Sequence, residues 1–199
     1  MPFVTPFRAK IAAWIAIPAA LVASGIVVGT ASYSAFSATT SNPTSNWSAG
    51  NVNLTDDDNN VALFTATGLK PGSTGTNCIA VTSTGSLPST VKLYGANYAT
   101  TNALASNINL TVTQGTGGGF GTCTGFTALG TGSSVYSGTL AAFGTGDTNF
   151  ATGVGSWAPT GTASETRVFQ FTWTVPTAAP STIMGGTAAI GFTWEADNS

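Results

Sequence analysis

Histidine is absent from this 199-residue chain, and charge is scarce: five Lys and Arg against seven Asp and Glu, 6% of all residues. Without histidine the commonest general base and the commonest transition-metal ligand are both missing. No HExxH helix exists, so a zinc peptidase has neither its usual ligands nor a base for its water. A serine nucleophile lacks its imidazole too, and the lysines open to a lysine-based variant, Lys70 and Lys92, have no neighbouring motif. The remaining carboxylates are scattered: Asp56, Asp57, Asp58, Asp147, Glu165, Glu195 and Asp197. No catalytic residue and no cofactor is expected. The shortage of basic residues also argues against nucleic acid, which demands a basic face. Low charge does not mean disorder here, because 42% of the chain is hydrophobic and aromatic and β-branched residues recur throughout.

The first 34 residues differ from the rest. Arg8 and Lys10 precede an uncharged run over 11–35 (IAAWIAIPAALVASGIVVGTASYSA) that ends in small residues, the three parts of a secretory signal peptide. Pro18, Gly25 and Gly29 loosen the segment, and Ser32 and Ser34 suit the −3 and −1 positions, so cleavage is expected after Ser34 or Ala35. An uncleaved membrane anchor is the competing reading, since the run is long enough to span. In the first reading a signal-peptide helix meets the membrane only before cleavage. Residues 35–46 (AFSATTSNPTSN) follow as a polar arm with one aromatic, Phe36, and one proline, Pro43.

Residues 47–199 read as a single β domain. Within 63–94, three apolar-alternating runs are separated by turn clusters at Lys70-Pro71-Gly72 and Gly85-Ser86-Leu87-Pro88, which predicts three consecutive strands. Val52 and Leu54 mark an earlier strand. Ile79 and Val81 share one face, with Cys78, Ala80 and Thr82 on the other; Val91 with Leu93, and Ile108 with Leu110 and Val112, continue the period of two. The strongest pattern lies near the end. Phe169, Phe171, Trp173 and Val175 alternate with polar residues, as do Ala188, Ile190, Phe192 and Trp194 with smaller ones, so these two strands should supply much of the core. Residues 135–143 fit either a short strand or one helical turn, and 144–162 a loop with Trp157 packed down. No exported segment shows helical periodicity. The expected fold is an all-β antiparallel sandwich of about seven to nine strands.

Cys78 and Cys123 are the only cysteines, and outside the cell the default is a disulfide between them. Such a bridge is worth about 4 kcal/mol in the chain-entropy model. The alternation puts Cys78 opposite Ile79 and Val81, so the bridge is expected outside the core. It would tether the glycine-dense run over 114–126 (QGTGGGFGTCTGF), which lacks the Gly-Lys-Ser/Thr ending and following helix of a phosphate loop. The triplet Asp56-Asp57-Asp58 is a candidate Ca²⁺ site by its hard oxygens, against a solvated turn, because the alternate spacing and distal glutamate of an EF-hand are missing. Tyr94, Tyr98 and Tyr136 are candidates for stacking on sugar rings, against simply lining the sandwich surface.

Several landmarks then line up in order: GTASYSAFSATTS, NWSAGNVNLT, GLKPGSTGTNCIAVTSTGSLPSTVKLY and GGTAAIGFTWEADNS. Together they resemble the TasA/camelysin family of bacterial secreted proteins. The resemblance implies a jelly-roll-like sandwich, export through a dedicated signal peptidase, and a place in the extracellular matrix or on the cell surface. It implies self-association into filaments or contact with other matrix proteins, the arm of one subunit completing a sheet of the next. Here the arm residues would include Ala35, Phe36, Thr39 and Thr40. Camelysin-type members are described as metal-dependent peptidases, an activity that the missing histidine argues against. A glycan-binding adhesion module is a further alternative. The sequence departs from the family in its glycine-rich insertion, its cysteine pair and its shorter length.

N-terminal sequencing of exported protein is expected to start at Ala35 or Phe36. A product that keeps Arg8 and Lys10 is an anchored protein instead.

Overall fold

The computed structural model describes residues 48–198. The signal segment, the Ser34/Ala35 cleavage site and the arm with Phe36, Thr39 and Thr40 lie outside the described residues.

Among the described residues nine strands form: β1 (Leu54–Asp56), β2 (Thr74–Ser83), β3 (Ser89–Thr100), β4 (Asn109–Thr116), β5 (Thr127–Ala128), β6 (Ser134–Thr139), β7 (Val154–Trp157), β8 (Glu165–Thr174) and β9 (Ala188–Asn198). One helix, α1 (Leu140–Gly146), follows β6, with the Thr139 hydroxyl accepting from Ala142 N at its start. The larger sheet runs β1-β2-β8-β4-β5, with β6 also paired to β4; the smaller runs β7-β3-β9. All pairings are antiparallel. The chain changes sheet at β2–β3, β3–β4, β6–β7, β7–β8 and β8–β9, so five of the eight strand connections cross the sandwich. This is the all-β sandwich that the alternation predicts.

The two strongest sequence patterns face each other across its interior. Phe169 and Phe171 of β8 are 3% and 0% exposed. Phe171 meets Phe192 of β9 at 4.5 Å between ring centroids, and Phe169 meets Trp194 at 5.3 Å, both tilted. Offset and tilted ring pairs of this kind add to the area that each ring buries. Phe143 closes one side from α1, 4.9 Å from Tyr136 and 5.7 Å from Phe192. Ile79, Val81, Val91, Leu93, Leu110 and Val112 fill the layer between.

The outward side of the larger sheet has its own order. Strand register sets Thr74, Thr174, Asn109 and Thr139 in one row and Thr76, Thr172, Thr111 and Ser137 in the next, across four strands. Hydroxyls pair across β2 and β8, Thr74 with Thr174 and Thr76 with Thr172, each at 3.1 Å. These eight positions carry no ionisable group.

Two expectations are corrected. Residues 63–69, read as the first of three consecutive strands, form none. The edge of β2 that they would join is taken by side chains: Asp57 Oδ1 accepts from Ala80 N at 2.8 Å, and Asn77 Nδ2 donates to Leu63 O at 2.6 Å. The segment is therefore tied beside β2 through a side chain, without a ladder. Residues 144–162 are not all loop, since β7 lies among them; it is four residues long and its register with β3 shifts between Val91 and Leu93, so no alternation marks it. Trp157 is packed down as expected, 4% exposed. Residues 135–143 hold both alternatives in succession, the end of β6 and the start of α1.

Replacing Phe171 with Ala should cost about 3–5 kcal/mol, because the ring is enclosed and its neighbours come from both sheets. Urea unfolding of the variant against the parent protein measures it.

Candidate functional site

The smaller sheet stops at β9. Among the described residues this 11-residue strand pairs only with β3, and no strand lies along its other edge. The consequence shows in burial. Phe169 and Phe171 of β8 are enclosed and Trp173 only partly so, whereas none of Ile190, Phe192 and Trp194, the inward row of β9, is fully buried. Between β9 and the short edge strand β1 lies a cleft of about 180 Å³. Its apolar wall is Leu54, Val81, Phe192 and Trp194, and its polar rim is Thr55, Asp56 and Thr193. Trp194 Nε1 is buried there without a hydrogen-bond acceptor, a donor of the kind that folded proteins seldom leave unpaired. Burial raises the Asp56 carboxyl above its ordinary value, and its Asp58 and Asp57 neighbours add charge repulsion in the same direction. An unpaired strand edge beside half-covered apolar side chains can accept another strand: the backbone supplies N–H and C=O groups, and the cleft receives alternate side chains.

The acidic triplet is occupied with backbone amides. Asp57 Oδ1 and Oδ2 accept from Ala80 N at 2.8 Å and Phe120 N at 2.7 Å. Asp58 Oδ1 accepts from Asn60 N at 2.6 Å and Asp56 Oδ1 from Asp58 N at 3.3 Å, which makes the run a turn that caps itself. Among the described residues no three His, Cys, Asp or Glu side chains are placed to hold a metal ion. The other carboxylates serve separately. Glu165 Oε1 accepts from Thr160 N and Oγ1, bonds that lower its pKa; burial raises that of Asp147 at the end of α1.

Cys78 and Cys123 are joined, with Cα atoms 5.2 Å apart. Cys78 does lie on the face away from the core cluster, yet it is 0% exposed, because the glycine-rich segment folds over it. Lys70 forms the expected turn with Ser73, whose N donates to Lys70 O at 2.9 Å. Lys92 sits opposite Glu195 in the β3–β9 register. Of the tyrosines, Tyr136 meets Phe143 edge to face and donates to Thr139 O at 2.8 Å, and the Tyr98 ring fills the space over Gly144. Tyr94 instead donates to Glu195 Oε2 at 2.9 Å on the outward side of the smaller sheet, a bond that raises its pKa. The three are therefore not brought together as one sugar-stacking platform.

Sequence reasoning missed the roles of Asp57 and of the β9 edge. The first depends on amides at positions 80 and 120, which no local pattern links to 57. The second has a signal only in hindsight of pairing: β9 alternates like a core strand but ends the sheet. No protein-family model matches the sequence, and no curated protein matches it significantly.

Replacing Asp57 with Ala leaves two backbone N–H groups without acceptors and should cost about 1–3 kcal/mol. Asp58→Ala removes only a local turn bond and should stay within about 0.5 kcal/mol. Denaturant midpoints of the two variants give the comparison.

Proposed function

We propose that this chain is an exported structural subunit of a bacterial cell surface or extracellular matrix, which polymerises by donating the strand formed by residues 35–46 to the open edge of β9 in a second copy. The observation that carries this reading is the unpaired 11-residue edge of β9 beside its half-buried row of Ile190, Phe192 and Trp194. A fourth strand there would extend the three-stranded sheet and cover the cleft against β1. Length agrees. Residues 35–46 span about 40 Å when extended at roughly 3.3 Å per residue, close to the run of β9 itself. Composition agrees as well, since the arm is uncharged, rich in Thr and Ser, and offers Phe36 as a side chain for an apolar cleft. Pro43 lacks an N–H and must sit where its nitrogen faces away from β9.

Donation from copy to copy does not close on itself, so it builds filaments. The resemblance to the TasA/camelysin family favours the same assembly and the same location. In this reading the protein is not an enzyme, and its partners are further copies of itself or other matrix proteins.

Mature protein beginning at Ala35 should form filaments over time by electron microscopy. Deleting residues 35–46 should abolish them while leaving the circular dichroism spectrum and cooperative unfolding in place. A synthetic peptide of residues 35–46 should raise the melting temperature of the truncated protein, as any ligand of the folded state does. Continued polymerisation of the truncated protein would falsify donation by this arm.

A further inference from the structure

On the outward side of the larger sheet, beyond the two hydroxyl rows, the register sets Ala80 of β2, Val168 of β8 and Gly115 of β4 side by side, with Cys78 next along β2. Val168 and Cys78 are 4% and 0% exposed, although both point away from the sandwich interior. Their cover is the glycine-rich segment. The Phe126 ring occupies the space over Gly115 where a Cβ would stand, 2.8 Å from that position, so any larger residue at 115 displaces the ring.

The segment is held down at few points. It bonds to itself between Gly119 and Thr122, in both directions, and from Phe126 N to Cys123 O. Its ladder to the sheet begins only at β5, where Thr127 and Ala128 pair with Thr116 and Gly115. Between Gly117 and Phe126 the segment is anchored to the body by the Cys123 disulfide, by Phe120, whose N donates to Asp57 Oδ2 and whose ring packs partly buried against the core, and by the Phe126 ring. Gly117, Gly118, Gly121 and Gly125 all have positive φ, and glycine gains more conformational freedom on release than other residues do. The core cluster joining the two sheets contains neither cysteine.

We propose that residues 117–126 are a redox-released strap: reduction of Cys78–Cys123 frees the segment and uncovers the apolar strip of Cys78, Ala80 and Val168, while the sandwich stays folded. Cys123 is half-buried and Cys78 enclosed, so an external dithiol attacks at Cys123 Sγ. The S–S bond breaks, and Cys78 departs as a thiolate and takes up a proton. The second thiol of the reagent then displaces Cys123, and the reagent leaves as its own disulfide, having supplied two electrons and two protons.

Hydrogen–deuterium exchange of the exported protein, with and without a dithiol, tests this directly. Amides of 117–126 should exchange faster by about tenfold or more on reduction, with β3, β8 and β9 within about twofold of the oxidised protein. Cys123→Ser should reproduce that pattern without reductant, and a dye for exposed apolar surface should brighten in both cases. Unchanged protection over 117–126 would show that Asp57, Phe120 and Phe126 hold the segment without the bridge and would overturn the proposal. So would acceleration of β8 and β9 together with the segment, or failure of Cys123→Ser to fold, since the bridge would then staple the whole domain.

Discussion

The contact between the inward rings of β8 and those of β9 is what the rest of the sandwich depends on. Phe171 on Phe192 and Phe169 on Trp194 span the gap between two sheets that share no backbone ladder with each other. The same contact is unequal. On one side β8 lies between β2 and β4, and Phe169 and Phe171 are enclosed; on the other, among the described residues β9 ends its sheet, and Phe192 and Trp194 stay partly exposed. A core assembled this way is sufficient to hold the fold and still leaves apolar surface beside an unpaired strand edge. Stability and capacity for assembly therefore come from one set of side chains.

How far the sequence discloses this depends on how local each feature is. Strands β8 and β9 are legible because large aromatics recur with a period of two over ten residues or so, and no helix buries such a pattern. The turn at Lys70 is legible because proline and glycine carry their own backbone preferences. Residues 63–69 alternate as a strand does, and fail as one because Asp57 and Asn77 have taken the neighbouring edge. Alternation reports which side chains are apolar; it does not report whether a partner backbone is free. Strand β7 is too short to alternate. The enclosure of Cys78 is illegible for a further reason: a side chain on the outward side of a sheet is buried only if something distant folds over it, and here that is a segment some 45 residues away along the chain.

Scarcity of charge shapes the polar side of the molecule. Thr, Ser and Asn do the work that Lys and Glu do elsewhere, and they do it by bonding to each other or to backbone. Asn51 and Ser86 tie the segment before β1 to the loop before β3, Asn53 bonds Thr84, and Thr101 bonds Thr187. The few carboxylates are then free for tasks that need a strong acceptor, as when Asp57 bridges two separate amides.

The two hydroxyl rows across β2, β8, β4 and β6 follow the same economy, with a consequence for how the molecule meets its surroundings. Charged surfaces change character with ionic strength, as counterions gather or disperse within a Debye length. A lattice of threonine, serine and asparagine has no such dependence, nor does it titrate between acid and alkaline conditions. That side of the protein presents the same hydrogen-bonding pattern in dilute water and in brine, and so keeps its hydration constant where a conventional protein surface would not.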